Sequence, residues 1–168
     1  MIALALLATA LSSASSPAVV RVEDAGRVRA TVFVPMAEQD LRTRLADAAW
    51  PMQFDKSGTA LVGRTADGSC ELLDYRTSGM FGADWKVRQC PTATGFAATL
   101  AESSFFSRYD SQWILSPEGS GVRLEYVIDV GLPKMLPSGF AREKMASSVR
   151  TMMNGLVAWA EVNGATAP

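Results

Sequence analysis

Two hydrophobic periods divide the chain. From Thr59 to Gly131 apolar and polar residues alternate, and turn-forming clusters break the alternation about every ten residues, the pattern of an antiparallel sheet. From Leu136 to Asn163 the period lengthens. Met145, Val149, Met152, Leu156 and Trp159 recur at helical spacing on one face, and Ala141, Ser148, Met153 and Ala160 widen it. Glu143, Ser147, Arg150, Asn154 and Glu161 fall on the opposite side, which predicts a long amphipathic helix. Pro137 and Ser138 are start signals and Gly164 a stop. A helix this long and Met-lined needs a broad apolar surface to lie on.

Ahead of the sheet region, Val19 to Val34 reads as β structure interrupted by Asp24-Ala25-Gly26. In its second part Val28, Ala30, Val32 and Val34 alternate with Arg27, Arg29, Thr31 and Phe33, as in a half-buried strand. Ala37 to Ala48 reads as a short helix through Leu41 and Leu45, stopped at Trp50-Pro51, because the residue before proline is pushed out of the α region. Further turns are read at Asp67-Gly68, Ser78–Gly82, Ser103-Ser104 and Pro117–Gly121. The expected architecture is α+β: a first strand, one or two small helices, five or six further antiparallel strands and a closing helix.

Turn positions fix registers that the side chains themselves check. A turn centred on Met80 sets Leu73 against Val87 and Tyr75 against Trp85 on one face. On the other it sets Asp74 against Lys86 and Arg76 against Asp84. Two apolar and two opposite-charge pairs follow from one assumption, and Cys70 falls directly opposite Cys90, within disulfide reach. The other reading of this pair is two free thiols. For the Asp67-Gly68 hairpin the expectation is Val62 facing Leu73 and Ala60 facing Tyr75. For the last hairpin it is Trp113 facing Leu124, Ser111 facing Tyr126, Tyr109 facing Ile128 and Arg108 facing Asp129. Its inward set is large and aromatic except for Ser111, with Ala98 beside it, and small residues among large ones leave space on a concave face.

Composition narrows the chemistry. With 168 residues, the size prior gives one domain with room for a real core. A net charge of −1 without like-charge blocks argues against nucleic acid and against a membrane surface held by electrostatics alone. Histidine is absent, which removes Ser–His and Cys–His dyads, the HExxH zinc helix and an imidazole base. Two cysteines cannot make a thiolate-only zinc site, and no cofactor or metal is expected. Residues 1–18 read as a signal peptide: Ile2 to Leu11 is almost wholly Ala, Leu and Ile, the small-residue run Ser12 to Ala18 follows, and cleavage is expected near Ala14 or Ala18. Residues 19–168 are then the folded domain, exported to a periplasmic or extracellular space where a disulfide persists.

Three stretches carry a family resemblance. Val34-Pro35-Met36-Ala37-Glu38 with Leu45-Ala46-Asp47-Ala48-Ala49-Trp50-Pro51 is one. Ser111 to Leu115 with Gly121 to Tyr126 is the second, and Leu132-Pro133 through Leu136-Pro137 into the helix is the third. Together, over roughly residues 27 to 162, they resemble the START-like (SRPBCC) helix-grip superfamily. That group includes polyketide cyclase/dehydrase and lipid-transfer proteins, coenzyme Q-binding proteins and birch-pollen allergen relatives. The resemblance implies a curved antiparallel sheet of about seven strands gripping the last helix, with a hydrophobic ligand between them. It fixes no catalytic residue.

The candidate pocket residues are Leu73, Tyr75, Trp85, Ala98, Tyr109, Ser111, Trp113 and Tyr126 from the sheet, and Met145, Val149, Met152 and Leu156 from the helix. Each has an ordinary reading as well: methionines as core, tyrosines reaching water or backbone. Gly155 inside the helix serves either close sheet contact or room for a ligand. The loop from Leu132 to Pro137 is either a portal that touches a membrane transiently or a rigid crossover. The leading functional reading is non-catalytic binding or transport of a lipophilic small molecule (lipid, sterol, quinone or polyketide-like). Two others stand beside it: an aromatase/cyclase- or hydrolase-type enzyme using Tyr and Arg, and an interaction module with a filled core.

Overall fold

Strand alternation and two-residue turns build most of the molecule. The computed structural model describes residues 16–23, 26–78, 82–133 and 138–164. Of the sequence readings, the apolar run Ile2 to Leu11, the turn centre at Met80 and residues 134–137 of the crossover lie outside them. The elements in chain order are β1 (Val19–Val22), β2 (Val28–Val34), α1 (Glu38–Ala46), α2 (Ala49–Met52), β3 (Thr59–Asp67) and β4 (Cys70–Thr77). Then come β5 (Asp84–Thr92), β6 (Gly95–Ser103), β7 (Arg108–Glu118), β8 (Gly121–Gly131) and α3 (Ser138–Asn163). The strands form one antiparallel sheet in the order β1-β2-β8-β7-β6-β5-β4-β3. This is the helix-grip arrangement. It has eight strands rather than about seven, because Val19–Val22 forms a strand of its own that pairs antiparallel with β2.

Proline falls inside the second short helix rather than ending the first. Helix α1 stops where Asp47 turns extended, and the Asp47 carboxylate accepts the Ala49 N–H at 3.2 Å. Pro51 then sits in the first turn of α2, where a missing N–H costs no hydrogen bond. Trp50 meets Phe54 and Trp159 edge-on, with ring centroids 5.5 and 5.3 Å apart, which ties α2 to α3. Gly155 allows a close approach to Phe54 rather than to the sheet: a Cβ there would lie 2.9 Å from Cβ of Phe54. Asn154 accepts the Ala18 N–H through its side-chain oxygen at 2.9 Å, and Ala18 is buried.

The central register holds in full. Leu73 pairs with Val87, Tyr75 with Trp85, Asp74 with Lys86 and Arg76 with Asp84. Cys70 and Cys90 are joined in a disulfide across the same two strands, with Cα atoms 4.3 Å apart. Arg76 and Asp84 form an ion pair at 2.7 Å, whereas Lys86 reaches past Asp74 to Glu102 on β6 at 2.9 Å. The cross-link has a separation of 20 residues, and removing a loop of that size from the unfolded ensemble stabilises by about 3 kcal/mol in the chain-entropy model. Replacing both cysteines by serine is expected to lower the melting temperature by about 6–12 °C in a calorimetric scan. A shift below about 2 °C would mean that the cross-link adds little to the stability of the fold.

Both flanking hairpins differ in register from the sequence reading. The first turn is Gly68-Ser69 between Asp67 and Cys70, and the last is Gly119-Ser120 between Glu118 and Gly121. In each, glycine takes the first central position with positive φ, +66° and +58°. Moving a turn centre by one residue moves partners by two and leaves every side chain on its face. Trp113 therefore faces Tyr126, Ser111 faces Ile128 and Tyr109 faces Val130. Arg108 still pairs with Asp129, diagonally, at 2.6 Å. On β3 a register shift between Leu61 and Gly63 adds a further change. Leu61 faces Tyr75, Ala60 faces Arg76, and Val62 turns out to solvent, 50% exposed.

Candidate functional site

A single helix cannot cover a sheet this wide. Seven strand spacings of ~4.8 Å make roughly 34 Å, while a helix with its side chains is about 10–12 Å across. Helix α3 spends its packing on β2 and β1. Val28, Ala30, Val32 and Val34 are buried there together with Val149, Met153, Leu156, Val157 and Ala160. A second core cluster forms on the far strands around Leu73, Tyr75, Trp85, Val87 and Ala98. Met52 and Tyr109 pack against both clusters.

The interval between these clusters is not filled. It holds a cavity of about 390 Å³. From the sheet, Tyr75, Trp85, Ala98, Tyr109, Ser111, Trp113 and Tyr126 line it, and from α3 Met145, Val149 and Met152 do. These are the sequence candidates that the fold brings together. Leu73 and Leu156 are not among the lining residues; both are wholly buried, one in each cluster. Leu73 shares the inward face of β4 with Tyr75 but is taken up wholly by the second cluster. Leu156 lies one turn beyond Met152, where α3 already presses on β2.

Several lining residues carry no periodic signal. Phe105 and Phe106 follow the Ser103-Ser104 turn, where both their N–H groups donate to Ser103 Oγ at 2.9 Å. They pack edge-on with each other, and Phe106 packs edge-on against Trp85, which is itself stacked on Tyr75 at 5.6 Å. Phe140 also lines the cavity from the start of α3, with 62% of its surface exposed. Asp55 and Ser57 come from the connection between α2 and β3. The period of α3 assigns Ser148 only a space-widening place on its apolar face. In the fold Ser148 donates to Asp55 Oδ1 at 2.5 Å across the cavity wall.

Most of the lining is apolar, and its buried hydroxyls belong to Tyr75, Tyr126 and Ser111. The hydroxyls of Tyr109, Tyr126 and Ser111 lie near enough to influence one another's titration. Burial raises the pKa of Tyr109, against the lowering influence of the Tyr126 and Ser111 hydroxyls, and raises that of Tyr126 well above the usual phenol range. Burial likewise raises Tyr75, reinforced by the neighbouring Tyr109. The Trp85 indole N–H is buried without a partner. Charged lining residues are Asp55 and the exposed Lys144; no arginine is among them. Such a surface holds an apolar body and offers hydroxyls for one or two polar groups.

Comparison with known proteins places this geometry. No family model matches the sequence, and no curated protein is significantly similar to it. Solved structures are similar in fold. TTHA0849 from Thermus thermophilus has a TM-score of 0.68 at 19% identity, covering 84% of this chain and 99% of that one. The STAR-related lipid transfer protein (fragment 25-204) from Xanthomonas axonopodis has a TM-score of 0.62 at 18% identity, covering 84% and 90%. The ZhuI aromatase/cyclase from Streptomyces sp. R1128 has a TM-score of 0.63 at 16% identity, covering 84% and 98%. The likeness is one of fold: the helix-grip arrangement is shared with these proteins.

Proposed function

We propose that this chain is a non-catalytic carrier or binder of one lipophilic small molecule, held between the sheet and α3. The supporting observation is the cavity of about 390 Å³ walled by Trp85, Trp113, Phe105, Phe106, Met145 and Met152. That volume lies within the ~300–1,000 Å³ typical of small-molecule sites. Burial of apolar ligand surface at ~25 cal/mol per Å² supplies the affinity. A lipid, sterol, quinone or polyketide-like molecule meets this description. The ligand contacts would be the lining residues among the sequence candidates, Tyr75, Trp85, Ala98, Tyr109, Ser111, Trp113, Tyr126, Met145, Val149 and Met152.

The enzyme reading is weaker on the same residues. A Tyr/Arg pair that polarises a carbonyl needs an arginine, and none lines the cavity among the described residues. Burial also makes the tyrosines poorer proton donors. A filled interaction module is at odds with the open interior.

Export fits the Cys70–Cys90 disulfide, and no helix among the described residues is long and apolar enough to cross a membrane. Of the two expected cleavage positions, the one near Ala14 would leave the Ala18–Asn154 hydrogen bond in place, whereas cleavage after Ala18 would remove it. Membrane contact in transfer would use the crossover, where Leu132 and the exposed Phe140 line the cavity. Native mass spectrometry of protein purified without detergent tests the carrier reading. The expected spectrum shows one bound molecule per chain that extracts into organic solvent; a bare chain that also takes up no added apolar molecule overturns it.

A further inference from the structure

Asp55 is an unusual residue for an apolar cavity, and its hydrogen bonds leave a definite opening. Its Oδ1 accepts from the Ser57 N–H at 2.9 Å and from Ser148 Oγ at 2.5 Å, and its Oδ2 accepts from Ser57 Oγ at 2.5 Å. A carboxylate offers about four lone-pair sites, so these three donors leave one. None of the ion pairs among the described residues involves Asp55. Its negative charge is solvated by hydroxyls and one amide but is not neutralised. Asp55 and Ser148 both line the cavity, and the Asp55 charge is felt at the Tyr109 phenol.

The other charge at the cavity is Lys144. It lies one helical turn before Ser148 on the same face of α3. Its ammonium sits 5.7 Å from the centroid of the Phe140 ring, and the residue is exposed. Water and salt therefore screen Lys144, while Asp55 is half-buried and screened less. A ligand anion would meet an unneutralised carboxylate inside and a screened cation at the rim. A ligand cation or hydroxyl would complete the fourth site of Asp55.

We infer that Asp55 selects the polar end of the ligand: it accepts a hydrogen bond from a protonated amine, or less strongly a hydroxyl, and disfavours a carboxylate. This rests on the carrier reading and narrows its ligand class to lipophilic amines and alcohols. The test is a tryptophan-fluorescence titration of the whole chain with dodecylamine, dodecanol and laurate, which share one chain length. A charge-assisted hydrogen bond predicts that the amine binds at least about tenfold more tightly than laurate, with the alcohol between them. Asp55→Asn keeps the shape and the acceptor for Ser148, and is expected to bring the three probes within about threefold of one another. Lys144→Gln should widen the lead of the amine by less than Asp55→Asn narrows it. Should Asp55→Asn fail to fold, Ser148→Ala keeps the charge and frees a second lone pair, and must retain the amine preference. Laurate binding as tightly as the amine, or an unchanged order in Asp55→Asn, overturns the inference and leaves the carrier. A larger effect from Lys144→Gln overturns it too. Failure of all three probes to bind removes both.

Discussion

Raising the pH above about 10 is expected to unfold the protein steeply, with phenolate absorbance appearing only as the fold is lost. The chain has three tyrosines, and Tyr75, Tyr109 and Tyr126 all line the cavity. Burial raises the pKa of each above the ordinary phenol value of 10.0. The protonated phenol is the neutral form, so the folded state keeps its protons after the unfolded chain begins to lose them. Their contribution to stability is thus fully present below pH ~10 and is lost as the pH climbs toward the folded values. Each tyrosine in that window lowers stability by about 1.4 kcal/mol per pH unit, so three lower it by about 4. Absorbance at 295 nm and far-UV circular dichroism, followed together, should change in one transition. Phenolate forming near pH 10 in a chain that is still folded would mean that water reaches the hydroxyls freely.

The second large effect separates two residues that the sequence places together. Ala98 and Leu156 are both buried, at 6% and 0% exposure, yet only Ala98 lines the cavity. Ala98 lies on β6 between Gln89 of β5 and Ser111 of β7, so a larger side chain there grows into open space. Ala98→Trp is expected to weaken uptake of an apolar molecule by tenfold or more. Displacing about 60 Å² of ligand contact is enough for that at ~25 cal/mol per Å². Its melting temperature should fall by less than that of Leu156→Ala, because the cavity that Ala98 lines takes up part of the added side chain. Leu156→Ala should do the reverse, losing about 2–5 kcal/mol of stability with affinity nearly unchanged in the molecules that remain folded. The two variants together distinguish a cavity from loose packing. Equal loss of stability and of uptake in both would mean that the residues share one continuous core.

How far the sequence carries follows from how many independent constraints each element supplies. The β4–β5 register is overdetermined: Leu73–Val87, Tyr75–Trp85, Arg76–Asp84 and the two cysteines all require the same alignment. The buried face of α3 is legible for a similar reason, since Val149, Met152, Leu156 and Ala160 repeat over several turns. At Asp67-Gly68-Ser69 and at Gly119-Ser120 only the glycine marks the turn. Either central position suits a residue with positive φ, so the pattern alone leaves the centre uncertain by one residue. Because that slip is even in register, Tyr109, Ser111, Trp113 and Tyr126 keep their face although their partners change.

Asp55, Phe105, Phe106 and Phe140 escape a reading by period for a different reason. Asp55, Phe105 and Phe106 sit in connections, where no period assigns a face, and Phe140 falls off the apolar stripe of α3, in line with Glu143 and Ser147; only the folded chain brings them to the cavity. Ser148 falls on the correct face of α3, but a serine there gives no sign that a carboxylate will meet it.

Calorimetric titration of the folded chain with dodecanol across a range of temperatures tests the open interior most directly. Saturation at one molecule per chain is expected, with a negative heat-capacity change as apolar surface leaves water for the space between sheet and helix. Heats that never saturate, or a heat-capacity change near zero, would contradict it.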